Sequence, residues 1–467
     1  MYRPATLGEL KTSGYRARSV KQELRENLIQ RIGSGQTIFP GVVGYEETVL
    51  PQIVNGILSL HDLLFLGLRG QAKTRIIRAL PALLDEWMPV VAGVELWDDP
   101  LQPAFKATKR KLAEHGDETE LHWVHRNERY NEKLATPDVT IADLIGEIDL
   151  VKHAEGRYLA DESTMHFGMI PRTNRGIFAI NELPDLAPRI QVGLFNVLEE
   201  RDVQIRGFPV RLELDVCMVF SANPEDYTNR GRIVTPLKDR IGTVIRTHYP
   251  ATMEQAVQIS RENAWLDRSK PVVIPRFMHE ISEEVVRLAR KSPHINQASG
   301  VSVRTSIANL EILVSNAERR SLLTNEPRIV PRCCDLDALT ATCRGKIELL
   351  LGDDSSAEDK VIASLIGEAV KTVFAGYLEM DQIEPLASQF TRDMHIELGD
   401  DMPTEACLEQ LGRVDGLLKI ARAICKATDL AEEPGELLSA AELVLEALHV
   451  NNKLSKYAFR TRTLYRG

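Results

Sequence analysis

One short glycine-containing segment constrains the fold more than any other feature of this sequence. The apolar run Asp62–Gly67 is short and ends in glycine, which predicts a buried strand. The segment Gly67-Leu-Arg-Gly-Gln-Ala-Lys73-Thr74 follows, and the residues after it have the apolar spacing of a helix. A phosphate-binding loop requires this order of strand, loop and helix, because its backbone N–H groups and the helix N-terminus face the phosphates.

The candidate nucleotide-binding residues of this loop are Gly67, Arg69, Gly70, Gln71, Ala72, Lys73 and Thr74. Lys73 would reach the β- and γ-phosphates of ATP, and the hydroxyl of Thr74 would ligate Mg²⁺. The standard pattern has glycine where this chain has Ala72, and the methyl group could crowd a backbone that approaches the phosphates closely. Taken alone, the motif also fits an ordinary connection between a strand and a helix.

A second predicted strand ends in two polar residues. The apolar stretch Gly176–Ile180 is followed directly by Asn181 and Glu182, which is the layout of a Walker B strand. Glu182 is the candidate for polarising the attacking water. Asn181 stands where an aspartate normally supports Mg²⁺, and because asparagine supplies an oxygen without a charge, lower metal affinity is expected. An alternative is that Asn181 caps the helix that follows.

Three further residues continue the order of elements found in AAA+ ATPases. Asn223 follows the third predicted strand, Val216–Ser221, where a sensor 1 residue would orient water beside the γ-phosphate. Arg240 lies in a segment that resembles the one carrying the arginine finger, whose permanently charged guanidinium contacts the ATP of a neighbouring subunit. Arg304 opens a later helix, at the sensor 2 position. Each arginine alone also fits a surface salt bridge, but five elements in this order favour a nucleotide site.

Further motifs resemble the motor subunit of magnesium chelatase and the related MoxR ATPases. They are Phe39–Gly44, Asp143–Gly156, Arg172–Phe178 and Leu198–Arg206, and the resemblance covers about residues 40–320. It implies that Val43 and Gly44 lie on the adenine side of bound ATP. The chain departs from the chelatase pattern at Ala72, at Asn181 and over residues 95–135, so a related ATPase that serves another target is a second interpretation.

The predicted fold class is an α/β P-loop core of the AAA+ type, followed by an all-α lid and a C-terminal helical region. The predicted parts are an N-terminal helical segment (1–34), the core (35–250), the lid (251–325) and the C-terminal region (326–467). Residues about 95–135 are rich in charge and show no clean period, which predicts an insertion in the core. Its His122 and His125 fit solvated histidines or, alternatively, metal ligands.

Net charge and hydropathy argue against nucleic acid as a partner and against insertion into a membrane. The formal net charge of −10 gives no overall attraction to nucleic-acid phosphates, which counts against a DNA-acting motor. The GAFTGA loop of σ54-type activators is also absent. No apolar run approaches 18 residues and the start has no signal-peptide core, so we expect a cytoplasmic protein without membrane insertion. The six cysteines show neither zinc spacing nor a disulfide framework, which favours buried structural thiols.

The resemblance also implies a mode of action. It implies a homo-oligomeric ring, hexameric in form, with ATP and Mg²⁺ at each subunit interface and Arg240 acting on the neighbour's nucleotide. Hydrolysis would change the angle between core and lid and so remodel or activate a partner. By analogy that partner is a von Willebrand factor A domain protein, with metal insertion as one outcome. The alternatives are an ATP-binding scaffold with little hydrolysis, for which Ala72 and Asn181 argue, and a DNA-acting motor or transcription activator.

Overall fold

The computed structural model describes residues 3–148, 165–204, 211–224, 232–350, 355–391, 394–459 and 462–467. The chain divides into two compact units, Met1–His248 (unit 1) and Tyr249–Gly467 (unit 2). Two of the motifs that carry the chelatase resemblance are described only in part, because residues 149–156 and 205–206 lie outside the described ranges.

The helices of unit 1 are α1 (Leu7–Thr12), α2 (Val20–Gly33), α3 (Val49–Leu58), α4 (Lys73–Ala79), α5 (Lys106–His115), α6 (Ile141–Leu144), α7 (Met169–Arg172), α8 (Pro188–Gly193), α9 (Phe195–Glu199) and α10 (Thr235–Arg240). Its strands are β1 (Leu63–Leu66), β2 (Trp87–Val91), β3 (Leu121–His125), β4 (Tyr130–Leu134), β5 (Gly146–Ile148), β6 (Met165–Phe167), β7 (Gly176–Asn181), β8 (Asp202–Gln204), β9 (Arg211–Glu213), β10 (Val216–Ala222) and β11 (Thr243–Arg246).

A parallel sheet forms the centre of unit 1. Among the described residues its strand order is β11-β1-β10-β7-β4, and every neighbouring pair is parallel. Successive side chains of a strand point to opposite faces. Leu64, Phe178 and Phe220 therefore pack into one apolar cluster, whereas Phe65 and Val219 pack into another. Because α2–α4 cover one face and α6–α10 the other, the central strands are apolar on both sides.

The stretch that we predicted to be an insertion contributes a strand to this sheet. Within 95–135, β4 pairs in parallel with β7 at the sheet edge, so this part belongs to the core and the prediction is wrong there. β3 instead forms an antiparallel pair with β2, and the His125 ring packs edge-on against Trp87 with the ring centroids 4.9 Å apart. The sequence Tyr-Asn-Glu-Lys-Leu of β4 lacks an apolar run because an edge strand is only partly covered.

Unit 2 contains α11 (Met253–Asn263), α12 (Arg276–Ala289), α13 (Val303–Leu323), α14 (Leu339–Cys343), α15 (Ser355–Phe374), α16 (Met380–Ala387), α17 (Thr404–Leu411), α18 (Leu417–Ala427) and α19 (Pro434–Val450). Its strands are β12 (His395–Gly399), β13 (Ser455–Phe459) and β14 (Arg462–Arg466). These strands form an antiparallel sheet in the order β12-β14-β13, which we did not predict.

One hydrophobic core joins the helices and the sheet of unit 2. It includes Phe277 of α12, Leu313 of α13, Leu443 of α19 and Tyr465 of β14. Residues of the predicted lid and of the predicted C-terminal region thus share a core, and their separation at residue 325 stays a prediction. In the part of the chain that the structure describes, no helix is both long enough and apolar enough to cross a membrane.

Candidate functional site

The predicted site residues meet at one edge of the parallel sheet. β1, β10 and β7 are neighbours, with Leu66 aligned to Ala222 and Phe220 aligned to Ile180. Because these strands are parallel, the residues that follow them lie at the same edge of the sheet. The backbone N–H of Gly67 donates to the carbonyl of Ala222 over 3.1 Å, which holds the start of the loop against β10.

Three of the predicted residues form a connected polar group. The Lys73 side chain is 7% exposed, and its ammonium donates to the carbonyl oxygens of Gly67 and Leu68, the latter at 3.0 Å. It also donates to Oδ1 of Asn223 over 2.8 Å. Nδ2 of Asn223 donates in turn to Oε2 of Glu182 over 3.2 Å. We call these three residues the Lys73–Asn223–Glu182 group.

A buried serine that we did not predict joins the ends of β7 and β10. Ser221 is 2% exposed, and its hydroxyl donates to Oδ1 of Asn181 over 3.1 Å. The same hydroxyl accepts a hydrogen bond from the backbone N–H of Glu182 at 3.3 Å. Asn181 therefore uses its side-chain oxygen on Ser221, and the short 3₁₀ turn Leu183–Asp185 has no side-chain cap. A polar residue inside the apolar run of β10 was the available signal for this role.

Two residues of the site, Ala72 and Glu182, have left-handed backbone. Ala72 has φ 55° at the residue that precedes α4, and Glu182 has φ 56° at the end of β7. A non-glycine residue in this region costs about 1–2 kcal/mol. Position 72 has a left-handed backbone that glycine would adopt without strain, but the residue there is alanine. Gly70, with φ 72°, is a glycine in the same left-handed region. Ala72 of the loop and the candidate catalytic residue Glu182 are thus two strained positions, and other left-handed residues such as Leu60 and Arg175 lie outside the site.

The rest of the loop is held by Tyr45, which precedes α3, and Thr247, which follows β11. Oε1 of Gln71 accepts from the Thr247 hydroxyl over 2.8 Å, and the Gln71 carbonyl accepts from the Tyr45 hydroxyl over 2.9 Å. A Cβ added at Gly67 would overlap both Thr247 and Gln71. The side chain of Gln71 is therefore an anchor of the loop. Tyr45, which we did not predict, connects the loop to the adjoining residues Val43 and Gly44.

The residues present fit a triphosphate with Mg²⁺. The buried Lys73 ammonium lies next to the N-terminus of α4, where anions are favoured. The partly buried Thr74 in the first turn of α4 and the amide oxygen of Asn181 are hard oxygen donors of the kind that Mg²⁺ prefers. The Arg69 side chain is exposed on the loop. These residues would hold the phosphates and the metal ion.

Of the two candidate arginines, Arg240 lies apart from this group within unit 1. Arg240, at the end of α10, donates from Nε to the Glu199 carboxylate over 2.7 Å and lies over the Phe195 ring at 4.8 Å from its centroid. Arg240 contacts no member of the Lys73–Asn223–Glu182 group in the described part of the chain. Arg304 belongs to unit 2, where it is exposed in the first turn of α13. Their predicted roles as arginine finger and sensor 2 stay predictions.

The cysteines are structural thiols. All six are free and five are buried. Burial raises the pKa of Cys217 to about 12 and the pKa of Cys334 well above its usual value, which opposes formation of thiolate ligands. Cys334 lies near Asp335 and Asp400, but Asp335 is already paired with the buried Arg320. We therefore assign no metal to these three residues.

Comparisons with known proteins agree with the architecture. Residues 117–244 match the family model described as the Sigma-54 interaction domain, a family of the AAA+ type. A search of curated protein sequences found no match. The match and the parallel sheet confirm the predicted fold class, an α/β P-loop core of the AAA+ type followed by a mainly helical region.

Two solved structures illustrate the range of structural similarity. A complex of the magnesium chelatase subunits BchI and BchD is 18% identical, with 87% of this chain and 94% of that chain covered and a TM-score of 0.36. NtrX from Brucella abortus in complex with ATP is 14% identical, with 83% and 72% covered and a TM-score of 0.39. Both TM-scores are below 0.5, so the roles of individual residues have to be argued from the geometry of this chain.

Proposed function

We propose that this chain binds ATP with Mg²⁺ and hydrolyses ATP as a subunit of an AAA+ ring. The observation that carries this proposal is the hydrogen-bonded Lys73–Asn223–Glu182 group at the carboxyl ends of three adjacent parallel strands. A cation, an amide and a carboxylate in contact can bind a terminal phosphate, orient a water and polarise that water. An ordinary connection between a strand and a helix does not require this set.

Each residue has a separate task in this proposal. Lys73 exchanges its carbonyl contacts for phosphate oxygens and neutralises part of their charge. Mg²⁺, held by Thr74 and Asn181, would supply positive charge that stabilises the leaving ADP. Glu182 orients and polarises the attacking water, and Asn223 holds both Glu182 and Lys73 in register through its amide. The loop around Gly67, Gly70 and Ala72 supplies backbone donors.

We also propose that the chain assembles with copies of itself. A homo-oligomeric ring would place Arg240 against the ATP of the neighbouring subunit, whereas Arg304 would act on the ATP of its own chain. The position of Arg240 at the end of α10, outside the Lys73–Asn223–Glu182 group, supports action on another subunit. Magnesium chelatase-like or MoxR-like remodelling of a von Willebrand factor A domain protein remains our proposal for the partner, on the resemblance of the motifs alone.

Glu182→Gln tests hydrolysis directly. The substitution keeps the shape of the side chain and removes the carboxylate, so we expect steady-state ATP turnover to fall by about 10²–10⁴-fold. ATP binding, measured by fluorescence of a labelled nucleotide, should be retained. If the wild-type chain binds ATP but turns it over at the same background rate as Glu182→Gln, the chain is the ATP-binding scaffold instead.

A transcription activator is the second candidate, favoured by the family match over residues 117–244. The absent GAFTGA loop and the net charge of −10 oppose it. We expect double-stranded DNA to leave ATP turnover unchanged, because no overall positive charge draws phosphates to this chain. Strong stimulation of turnover by DNA would instead favour the activator.

A further inference from the structure

A carboxylate on the neighbouring strand lies close to the position where this chain lacks one. In the pairing of β4 with β7, Glu132 is aligned with Ala179, and Asn181 is two residues further along β7. Residues two apart share one face of a strand, and a long side chain reaches its diagonal neighbour across a strand pair. Ala179 and Tyr130 pack in the same apolar cluster as Ile76 of α4. Glu132 and Asn181 therefore face the helix that begins at Lys73.

The contacts of Glu132 place it on the side of α4 that carries Thr74, the candidate Mg²⁺ ligand. Arg78 donates from Nε to both Glu132 oxygens at 3.1 Å. Arg78 follows Thr74 by four residues, so the two side chains lie on the same face of the helix. The face of α4 that carries the candidate Mg²⁺ ligand is thus the face that contacts Glu132.

The Glu132 side chain accepts hydrogen bonds from Arg78 and Tyr130. The Tyr130 hydroxyl donates to Oε2 of Glu132 over 2.6 Å. Arg78 is largely exposed, so solvent screens its attraction and leaves the field of the carboxylate only partly compensated.

Asn181 lacks the negative charge that the Glu132 carboxylate carries. Its side chain offers Mg²⁺ an oxygen but no charge, whereas divalent cations bind best where carboxylates balance their charge. Its oxygen accepts a hydrogen bond from the Ser221 hydroxyl at 3.1 Å, and Asn181 is the diagonal neighbour of Glu132 across the β4–β7 pair. Carboxylates behind the direct ligands commonly orient those ligands and tune metal affinity.

We propose that Glu132 is a positioning residue that compensates for the missing aspartate at position 181, by orienting the Asn181 amide and supplying negative charge beside the Mg²⁺ of bound ATP. This inference rests on the proposed nucleotide site. It predicts that the increase in ATP affinity caused by Mg²⁺ depends on Glu132, which lies outside the Walker motifs. Binding of ATP without the metal ion should not depend on that residue.

The experiment compares ATP dissociation constants measured by calorimetry in EDTA and in MgCl₂. The ratio of the two constants is the Mg²⁺ enhancement of ATP affinity. We expect Glu132→Gln to reduce this enhancement by about 10- to 100-fold while leaving the constant in EDTA close to wild type. Glu118→Gln, an exposed position in the same unit, is the matched control and should keep the wild-type enhancement.

Rescue separates a role at the metal from a role in packing. In the double variant Glu132→Gln/Asn181→Asp, a carboxylate returns to position 181, and we expect the Mg²⁺ enhancement to recover to at least the wild-type value. Loss of enhancement without rescue would overturn the proposal, since loss of packing would not be repaired at position 181. An unchanged enhancement in Glu132→Gln would also overturn it. If the wild-type chain binds no ATP in either buffer, the proposed function itself fails.

Discussion

Ala72 carries a methyl group at a backbone conformation that glycine adopts without strain. Ala72 has φ 55°, and the left-handed region costs a residue with a Cβ about 1–2 kcal/mol. We expect Ala72→Gly to raise the free energy of unfolding by about 1 kcal/mol, because relief of this strain exceeds the added flexibility of the unfolded chain. Urea-induced unfolding of the two proteins measures the difference.

Ala79→Gly is the matched control for this substitution. Ala79 ends α4 with φ −88°, where a Cβ is not strained. The same chemical change should therefore lower the free energy of unfolding, by about 0.5–1 kcal/mol. Destabilisation of equal size at both positions would contradict the assignment of strain to position 72.

At the residue scale, the sequence predicts the site residues that belong to a motif. It does not predict those whose roles depend on how neighbouring strands align. Lys73, Asn223 and Glu182 were predicted and are in contact through hydrogen bonds. Ser221 and Glu132 were not predicted, because their roles arise from the alignment of β7 with β10 and with β4. No short-range pattern encodes that alignment.

At the element scale, helix α2 is fixed to the sheet by buried charges. Arg129, which is 0% exposed, donates from Nη1 and Nη2 to the Glu23 carboxylate at 2.7 and 2.6 Å. Glu23→Gln leaves the Arg129 charge buried without its partner, so we expect a loss of about 3–5 kcal/mol in the free energy of unfolding of unit 1. Chemical unfolding followed by circular dichroism measures this loss.

Another glutamate of α2 provides the control. Glu26 accepts a hydrogen bond from Arg18 over 2.5 Å, but its side chain is exposed. Glu26→Gln should cost less than about 1 kcal/mol, because exposed ion pairs contribute little. Similar losses for Glu23→Gln and Glu26→Gln would show that the buried pair does not anchor α2.

The elements themselves were predictable where their residues are buried on both faces. β1, β7 and β10 have continuous apolar runs and lie in the middle of the sheet. The edge strands β4 and β11 are partly exposed and carry mixed residues, so their sequences resemble loops. The strands β12–β14 were missed for a related reason, since long-range antiparallel pairing leaves little local signal in a mainly helical region.

At the scale of the whole molecule, the proposal requires two subunits for each active site. Arg240→Ala should lower ATP turnover on the order of 10³-fold, because an arginine finger stabilises charge in the transition state. ATP affinity should change little. Steady-state turnover and labelled-nucleotide binding measure the two effects on the same preparation.

Mixed rings test action between subunits. A 1:1 mixture of Arg240→Ala and Glu182→Gln chains contains interfaces that combine an intact Glu182 with an intact Arg240 from the neighbour. For random assembly in a head-to-tail ring, about a quarter of the interfaces are active, and we expect turnover of about that fraction of wild type. Mixtures as inactive as their parents would contradict action on a neighbouring subunit.

The proposed function requires that a triphosphate binds at residues 67–74, and calorimetric titration with ATP and Mg²⁺ tests this binding most directly. We expect the wild-type chain to give saturable heat, and Lys73→Ala to lose most of the affinity, because its ammonium is the buried cation at the end of β1 and β10. Circular dichroism should show that the variant remains folded. Absence of heat from the wild-type chain up to millimolar ATP, or equal affinity in a folded Lys73→Ala, would contradict the proposed function.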